Sequence, residues 1–310
     1  MQKPKVIIIG GPTASGKSSL AIELAKVLNG EIISADSMQI YKKLDIGTAK
    51  VTEEEMQGIK HYMIDICEVE EKFSVADFQK LAYEYIEKIL AKGKTPIIAG
   101  GTGLYISSLV DNMKFTEETK KDKIVREKLY QKAEELKEDA PDYFYDMLLK
   151  IDEEAAKKIE KNNLKRVIRA LEIYYTTGET KTMQDKKTTL EDIKYDYKTF
   201  IIDWDRQMLY DRINKRIDIM INQDILKEVK WLYNKKLPQD NTAMAAIGYK
   251  EFFPYLTGQL SLEECVEKLK QETRRYAKRQ ITWFKRIKNI KYIDYKLNTK
   301  EKINYILKNI

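Results

Sequence analysis

The chain has 310 residues, a formal net charge of +7 and a hydrophobic fraction of 43%. A chain longer than one typical domain of about 100–200 residues is expected to form two domains, or one domain with a large insertion. No apolar stretch approaches the roughly 20 residues of a membrane-spanning helix, and the N-terminus lacks a signal peptide's apolar segment. His61 is the single histidine, and Cys67 and Cys265 lack CxxC spacing, which excludes a zinc finger. We therefore expect a soluble cytoplasmic protein, and no feature demands more than a monomer.

A glycine-rich loop follows the first apolar run, Val6–Ile9, and precedes apolar residues at helical spacing. It matches G-x-x-x-x-G-K-[ST], the phosphate-binding loop between a strand and a helix. Its amides can turn toward an anion, Lys17 adds positive charge, and the Ser18 hydroxyl can join a Mg²⁺ shell. The loop suits a nucleoside triphosphate or any other pyrophosphate. Its residues are Gly11, Pro12, Thr13, Ala14, Ser15, Gly16, Lys17 and Ser18.

The first 112 residues alternate between strand and helix patterns, which predicts an α/β fold with a parallel sheet covered by helices. Together with the loop, this indicates a P-loop NTPase-like core. Ligands of such sheets gather at the carboxyl ends of the strands, where Asp36 and Thr102 are also expected. The predicted strands cover residues 6–10, 31–35 and 95–99, with 61–66 as a further candidate, and the predicted helices cover 18–28 and 78–92.

Asp36 is the acidic candidate at a strand end. A lone Asp before a loop is often a helix N-cap, but in the crevice it could also take a proton from a nucleophile. A phosphotransferase normally has an Asp after a second apolar strand to help hold Mg²⁺. Here that strand ends in Gly100-Gly101-Thr102-Gly103.

The segment from 114 to 198 is dense in Lys and Glu and helical in period, and Gly178 is a plausible helix cap. We interpret it as a helical insertion domain, and residues 1–113 and 199–310 as the catalytic core, which a strand re-enters at 200–204. One apolar face of the insertion is predicted to contain Leu164, Ile168, Leu171 and Tyr175.

A basic segment lies near the C-terminus. Nine residues between Lys270 and Lys291 are Lys or Arg, and only Glu272 is acidic. The segment reads as a helix whose basic face is either simply solvated or in contact with a nucleic-acid backbone. From residue 298 onward the pattern is uninformative. The stripe predicted to be buried consists of Val266, Leu269, Tyr276, Ala277, Phe284 and Ile287.

Several motifs, in family order along nearly the whole chain, closely resemble the tRNA dimethylallyltransferases, also called tRNA isopentenyltransferases. Eukaryotic members carry a C-terminal zinc finger that this chain lacks, so the resemblance is to the bacterial type. The matching blocks are residues 11–18, 36–41, 45–50, 73–78, 100–105, 166–172, 247–250 and 277–284.

The resemblance implies transfer of a dimethylallyl group from dimethylallyl diphosphate to the N6 amine of adenosine 37 in tRNA. The loop would then hold the donor's pyrophosphate with Mg²⁺ at Ser18, and Arg212 or Arg216 could complete a cationic clamp. That arginine pair could equally form surface ion pairs. Asp36 resembles the general base, and Thr102 the hydroxyl beside the departing pyrophosphate.

The resemblance also implies contacts with the tRNA anticodon arm, and the target adenine must leave its stack to react. A P-loop kinase of a nucleotide or small metabolite and a non-catalytic RNA-binding protein are the alternatives. A relative in the same superfamily prenylates free AMP or ADP and lacks an elaborate RNA-binding insertion. The basic helical segments of this chain argue against that activity. The implied tRNA-contacting residues are Asp36, Ser37, Met38, Gln39, Lys165, Arg166, Val167, Ile168, Arg169, Lys278 and Arg279.

Overall fold

The computed structural model describes residues 3–115, 119–188, 193–238 and 241–310. The chain divides into two compact units, which we name the α/β unit (Met1–Val110 and Lys194–Ile310) and the helical unit (Asp111–Ile193). The sequence pattern predicted the helical insertion at residues 114–198. The α/β unit resumes earlier than expected, because Asp196, Tyr197 and Lys198 already pair with the first strand.

A six-stranded parallel sheet forms the centre of the α/β unit, in the order β3-β2-β4-β1-β5-β6. The predicted α/β fold with a P-loop NTPase-like sheet is confirmed. β3 covers two of the residues predicted for it, and β6 was not predicted. The strands are β1 (Lys5–Gly10), β2 (Gly30–Ser34), β3 (His61–Tyr62), β4 (Thr95–Gly100), β5 (Asp196–Asp203) and β6 (Lys291–Asp294).

The helices of the described residues surround this sheet and make up the helical unit. None of them is long and apolar enough to cross a membrane. In chain order they are α1 (Lys17–Val27), α2 (Glu53–Met56), α3 (Val75–Ala91), α4 (Gly103–Val110), α5 (Lys120–Leu136), α6 (Ala140–Ile151), α7 (Glu153–Lys158), α8 (Leu164–Thr177), α9 (Lys181–Thr188), α10 (Arg206–Asn222), α11 (Ile225–Asn234), α12 (Phe253–Leu256), α13 (Leu262–Phe284) and α14 (Thr299–Leu307).

The unbroken apolar run of β1 reflects burial on both faces of the sheet. Val6 and Ile8 belong to the core that includes residues of α3 and α4, whereas Ile7 and Ile9 belong to the core that includes residues of α1 and α14. Alternate side chains of a strand point to opposite faces, so the part of a strand that is covered on both sides is apolar throughout, as it is here after Lys5. The phosphate loop therefore starts from a rigid strand.

Helices α10 and α13 pack side by side in antiparallel directions. Arg274 Nη1 donates to Asn214 Oδ1 at 2.8 Å, and Lys270 Nζ lies 2.9 Å from Asp218 Oδ1. The predicted stripe on α13 is buried at Leu269, Ala277 and Phe284, and Ile287 just after the helix is also buried. Val266 and Tyr276 are only partly buried.

The helical unit has its own apolar core, which includes Phe144, Leu148 and Leu171. The buried carboxylate of Glu172 accepts two hydrogen bonds from Arg126, at 2.9 and 2.7 Å, and one from Arg169. Gly178 caps α8 with φ of 76°, as predicted. Tyr175 is 40% exposed, so its place on the predicted apolar face was wrong.

Candidate active site

The phosphate loop runs from the end of β1 to the start of α1. Gly16 precedes the helix with φ of 83°, a left-handed conformation that glycine adopts readily. The first amides of a helix have no acceptors within the helix, so the start of α1 can bind an anion. Lys17 Nζ lies 3.4 Å from the Pro12 carbonyl oxygen, which keeps the ammonium against the loop.

Two side chains that follow β5 hold the loop from outside the pocket. Trp204 Nε1 donates to the Ser15 carbonyl at 3.0 Å, and Arg212 Nε donates to the Ala14 carbonyl at 2.8 Å. The guanidinium of Arg212 also lies 4.6 Å from the centre of the Trp204 ring. Because the N–H and C=O of a trans peptide point in opposite directions, the bond from Trp204 turns the Gly16 amide away from it. These contacts stabilise Ala14, whose φ of 62° is unfavourable for a residue with a Cβ.

Asp36 and Thr102 follow the neighbouring strands β2 and β4 and lie in two loops that contact each other. Asp36 Oδ1 accepts a hydrogen bond from the Met38 amide at 3.0 Å. Thr102 Oγ1 accepts one from the Ser37 amide at 3.0 Å, and the Thr102 amide donates to the Ala35 carbonyl at 3.1 Å. The two candidate catalytic side chains are therefore held by backbone bonds.

The phosphate loop and Asp36 face one pocket of about 220 Å³. Lys17, Asp36, Arg216 and Gln280 line it together with apolar residues of α10 and α13. Because these helices run antiparallel, Ile217 and Met220 follow Arg216 on α10, while on α13 the lining goes back from Gln280 to Leu269. The apolar lining includes Ile213, Ile217, Met220, Ala245, Ala246, Ile247 and Leu269.

The pocket carries concentrated positive charge. Burial lowers the pKa of Lys17 to about 8, while the Asp36 carboxylate acts to raise it and Arg216 to lower it further. Burial also lowers the pKa of Arg216. Burial raises the pKa of the Tyr276 hydroxyl, and the carboxylate of Asp36 adds to this effect. Because two partly buried cations face one carboxylate, an anion that enters the pocket relieves their repulsion.

The loop at residues 45–48 forms a further wall of the pocket, and α11 holds it in place. The Glu228 carboxylate of α11 accepts hydrogen bonds from the Ile46 amide at 2.9 and 3.0 Å and from the Tyr249 hydroxyl at 2.8 Å. Arg216 connects this wall to the phosphate loop, with Nη2 3.5 Å from the Thr48 carbonyl and Nη1 3.4 Å from Thr13 Oγ1.

The donor atoms around the loop fit Mg²⁺ held partly by a phosphate ligand. Among the described residues, no cluster of three His, Cys, Asp or Glu side chains could bind a metal. The hydroxyl of Ser18 lies in the first turn of α1, and the Ser15 hydroxyl is buried and lacks a hydrogen-bond partner. Mg²⁺ prefers oxygen ligands and is usually bound through one or two protein groups, water and substrate phosphates.

The structure separates the predicted donor-site residues. Thr13, Lys17 and Arg216 line the pocket, whereas Arg212 is exposed and bonded to the outer side of the loop. Of the arginine pair, only Arg216 lies in the pocket.

The segment after Asp36 contains residues that line the pocket and one that is buried beside it. Ser37 and Met38 line the pocket. Gln39 is buried, with its amide 3.4 Å from the carbonyls of Thr48 and Ala49 and its oxygen 3.1 Å from Ser34 Oγ. In this structure its side chain therefore stabilises the adjacent loop.

In α8, the segment expected to contact tRNA divides into buried and exposed residues, and Val167 and Ile168 are the buried ones. Both side chains are buried in the core of the helical unit, where apolar groups pack against α5 and α6. Lys165, Arg166 and Arg169 are the members of this segment that are exposed. On α13 of the α/β unit, Lys278 and Arg279 are exposed as well.

Sequence reasoning missed the face of α13 that lines the pocket. Leu269, Thr273, Tyr276 and Gln280 follow one another at helical spacing and all line it. Gln280 Oε1 accepts from the Thr13 amide at 2.9 Å, and its Nε2 donates to the Gly101 carbonyl at 2.9 Å. The available signal was two polar residues on an otherwise apolar face, Thr273 and Gln280, which lie four and eleven positions after Leu269.

A P-loop sheet whose phosphate loop opens into a partly apolar pocket beside a carboxylate defines a P-loop-type transferase core. A model of the family described as IPP transferase matches residues 39–287. The chain therefore belongs to the IPP transferase family, and the resemblance found in its motifs is confirmed.

Individual relatives agree over nearly the full length of this chain. The chain is 52% identical over 289 residues to a tRNA dimethylallyltransferase of Acetivibrio thermocellus, covering 93% of this chain and 91% of the relative. The crystal structure of a Staphylococcus epidermidis tRNA delta(2)-isopentenylpyrophosphate transferase is 45% identical, with a TM-score of 0.71 over 99% of this chain and 98% of that one. A solved eukaryotic dimethylallyltransferase acting on tRNA is 34% identical, with a TM-score of 0.78 over 94% of this chain and 74% of that one.

Proposed function

We propose that this chain transfers the dimethylallyl group of dimethylallyl diphosphate to the N6 amine of adenosine 37 in tRNA. Relatives named tRNA dimethylallyltransferase and a solved dimethylallyltransferase acting on tRNA support the reaction class. The observation that carries the proposal is the single pocket in which the phosphate loop and Asp36 meet an apolar lining. An allylic diphosphate combines the same two properties, an anionic end and a hydrocarbon end.

The donor binds with its diphosphate at the loop, beside Lys17 and Arg216. Its hydrocarbon part lies against Ile217, Met220 and Leu269, further along α10 and α13. An apolar lining favours a hydrocarbon over a ribose, whose hydroxyls cost free energy when buried without partners. The lining thus supports an isoprenoid donor over ATP.

In the reaction, the N6 nitrogen of adenine forms a bond to C1 of the dimethylallyl group. The bond from C1 to the diphosphate oxygen breaks, and its electron pair leaves with the diphosphate. Asp36 accepts the proton from the amine, and the Thr102 hydroxyl hydrogen-bonds beside the departing diphosphate. Lys17 and Arg216 stabilise the charge that grows on the leaving group.

Mg²⁺, held by the Ser18 hydroxyl together with oxygens of the donor and water, would supply further positive charge to the diphosphate. The acceptor is the anticodon arm of tRNA, with Ser37 and Met38 near the extruded base. Exposed Lys165, Arg166 and Arg169 of the helical unit are proposed to contact phosphates, as are Lys278 and Arg279 of the α/β unit. A pocket built from one chain suits a monomer, and a tRNA substrate implies the cytoplasm.

Product analysis tests this proposal against the kinase alternative. The protein is incubated with Mg²⁺, unmodified tRNA and either dimethylallyl diphosphate or ATP, and the nucleosides are analysed by mass spectrometry. We expect N6-dimethylallyladenosine and free diphosphate only with the allylic donor. ATP consumption without any need for the allylic donor would favour the kinase, and tRNA binding without product would favour a non-catalytic RNA-binding protein.

A further inference from the structure

The side-chain amide of Gln280 connects the loop proposed to bind the donor with the loop that carries Thr102. Its oxygen accepts from the Thr13 amide and its nitrogen donates to the Gly101 carbonyl, both at 2.9 Å. We propose that Gln280 is a positioning residue that sets the spacing between the two loops, an inference that rests on the proposed function. It acts through its neighbours and accepts no proton itself.

On the donor side, Gln280 fixes the peptide between Pro12 and Thr13. Since the Thr13 amide points to Gln280, the Pro12 carbonyl of the same trans peptide points the opposite way. That carbonyl lies 3.4 Å from Lys17 Nζ and accepts from the Ser15 amide at 3.3 Å. Gln280 therefore influences the position of the Lys17 ammonium through one rigid peptide.

On the acceptor side, Gln280 fixes the peptide between Gly101 and Thr102. The carbonyl of this peptide accepts from Gln280, and its N–H donates to the Ala35 carbonyl at 3.1 Å, just before Asp36. A Cβ at position 101 would collide with Gln280 Nε2, so any other residue there would displace the amide that bonds to this carbonyl. The position of the Thr102 hydroxyl thus depends on the amide of Gln280.

The chemistry of the contact requires glutamine. One end of the bridge must accept a hydrogen bond and the other must donate one, which an amide does and a carboxylate does not. The residue is only 5% exposed, so water is a poor replacement for a lost bond. Asparagine is shorter than glutamine by one methylene. Methionine has a similar length but can replace neither the hydrogen-bond acceptor nor the donor.

Two variants separate these requirements. Gln280→Met removes both hydrogen bonds, and Gln280→Glu keeps the acceptor and loses the donor. For each we expect the single-turnover rate at saturating dimethylallyl diphosphate and tRNA to fall by about 10- to 100-fold, because small displacements of reacting groups are costly. The dissociation constant for tRNA is expected to stay within about twofold, since the exposed basic residues are untouched.

A double-mutant cycle with Thr102→Ala distinguishes positioning from a general loss of stability. Because Gln280 acts on Thr102 as well as on the loop that holds Lys17, either Gln280 variant should cost clearly less once Thr102 is already alanine than it does in the wild type. Gln79→Met is the matched control, because the Gln79 amide also donates to a backbone carbonyl, that of Ser108, and lies outside the pocket. It should leave the rate unchanged.

Amide hydrogen exchange provides a readout that does not require turnover. Exchange in residues 11–17 and 100–103 should accelerate in Gln280→Met and Gln280→Glu but not in Gln79→Met. Unchanged exchange, a wild-type rate in a folded Gln280 variant, or full additivity with Thr102→Ala would each overturn the proposal. If Gln280→Met does not fold, the rate, the additivity with Thr102→Ala and the hydrogen exchange are measured on the isosteric Gln280→Glu variant alone. A wild-type protein that makes no prenylated tRNA would instead refute the proposed function and leave the exchange result to decide the positioning role.

Discussion

At the carboxyl end of β2, the role proposed for Asp36 leads to a direct test. Asp36→Asn keeps the size of the side chain but removes its basicity, so turnover should fall by about 10²- to 10⁴-fold. The affinity for tRNA, measured by filter binding, should change little. Asp65→Asn is the matched control, because the Asp65 carboxylate bonds to Lys50 outside the pocket. An equal loss of binding and rate in Asp36→Asn would contradict the assigned role.

The pKa of Lys17 predicts a pH dependence for the donor. With a pKa lowered to about 8, the ammonium is charged below that pH and loses its proton as the pH rises through it. The KM for dimethylallyl diphosphate should therefore rise above about pH 8, because the neutral amine attracts the diphosphate less. Steady-state kinetics across this range measures the effect.

Lys17→Arg provides the comparison for that pH profile. A guanidinium stays protonated throughout, so the rise in KM above about pH 8 should disappear even if the absolute KM changes. A flat KM in the wild type, or the same rise in both proteins, would show that Lys17 is not the titrating group.

The residues of the candidate site differ in how far the sequence could predict them. Lys17, Asp36 and Thr102 belong to short motifs at strand ends, which the chain order alone brings to one edge of the sheet. Gln280 contacts Thr13 across 267 positions of the chain, and local patterns carry no information about such a pairing. Its part in the site follows only from the way α13 packs.

At the scale of the element, periodicity predicted β1, β2 and β4 with errors of a residue at their ends. β3 ends after Tyr62 because Met63 and Asp65 have φ of 64° and 54°, which no strand accommodates. β6 was missed because it is an edge strand in which only Ile293 is buried. Hydrophobic patterns report burial, so an edge strand with one buried residue gives little signal.

The basic face of α13 gives a prediction about tRNA. Arg279 is exposed on the helix, beside the buried positions Ala277 and Gln280. Arg279→Glu should weaken tRNA binding and reduce the salt dependence of the binding constant, because fewer counterions are released. Lys227→Glu on α11 is the control, since its side chain is 84% exposed and lies outside the proposed contact set. An unchanged salt slope in Arg279→Glu would remove Arg279 from the phosphate contacts.

At the scale of the whole molecule, Glu31 links β2 to the neighbouring elements and predicts sensitivity to acid. Burial alone would raise the pKa of Glu31, but hydrogen bonds from Lys92, Lys94 and Tyr62 outweigh it and lower the pKa to about 2. The carboxylate therefore stabilises the fold above its ordinary pKa of 4.5, and this contribution is lost as the pH falls toward 2. The full loss corresponds to roughly 3 kcal/mol.

Urea unfolding as a function of pH measures that contribution. Glu31→Gln should have a lower free energy of unfolding at neutral pH and a smaller decrease between about pH 5 and 2 than the wild type. Glu68→Gln is the control, because Glu68 pairs with Lys42 at the surface, where ion pairs contribute little. Parallel pH profiles for Glu31→Gln and the wild type would contradict the account.

The donor specificity that we propose depends on the whole α/β unit. Its first 110 residues supply the phosphate loop, Asp36 and Thr102, and this part alone would also suit a kinase. Most of the apolar lining comes from α10, α13 and the segment at 245–247, which the chain adds only after the helical unit. The sequence predicted the class of fold from its first part, whereas the shape of the pocket depends on packing between distant segments.

A crystal structure of the protein with the anticodon stem-loop and a non-reactive analogue of dimethylallyl diphosphate tests the central claim most directly. The account predicts the diphosphate against residues 11–18 beside Lys17 and Arg216, the hydrocarbon along Ile217 and Leu269, and the adenine N6 within hydrogen-bond distance of Asp36. A diphosphate bound elsewhere, or an adenine that remains stacked in the RNA away from Asp36, would contradict it.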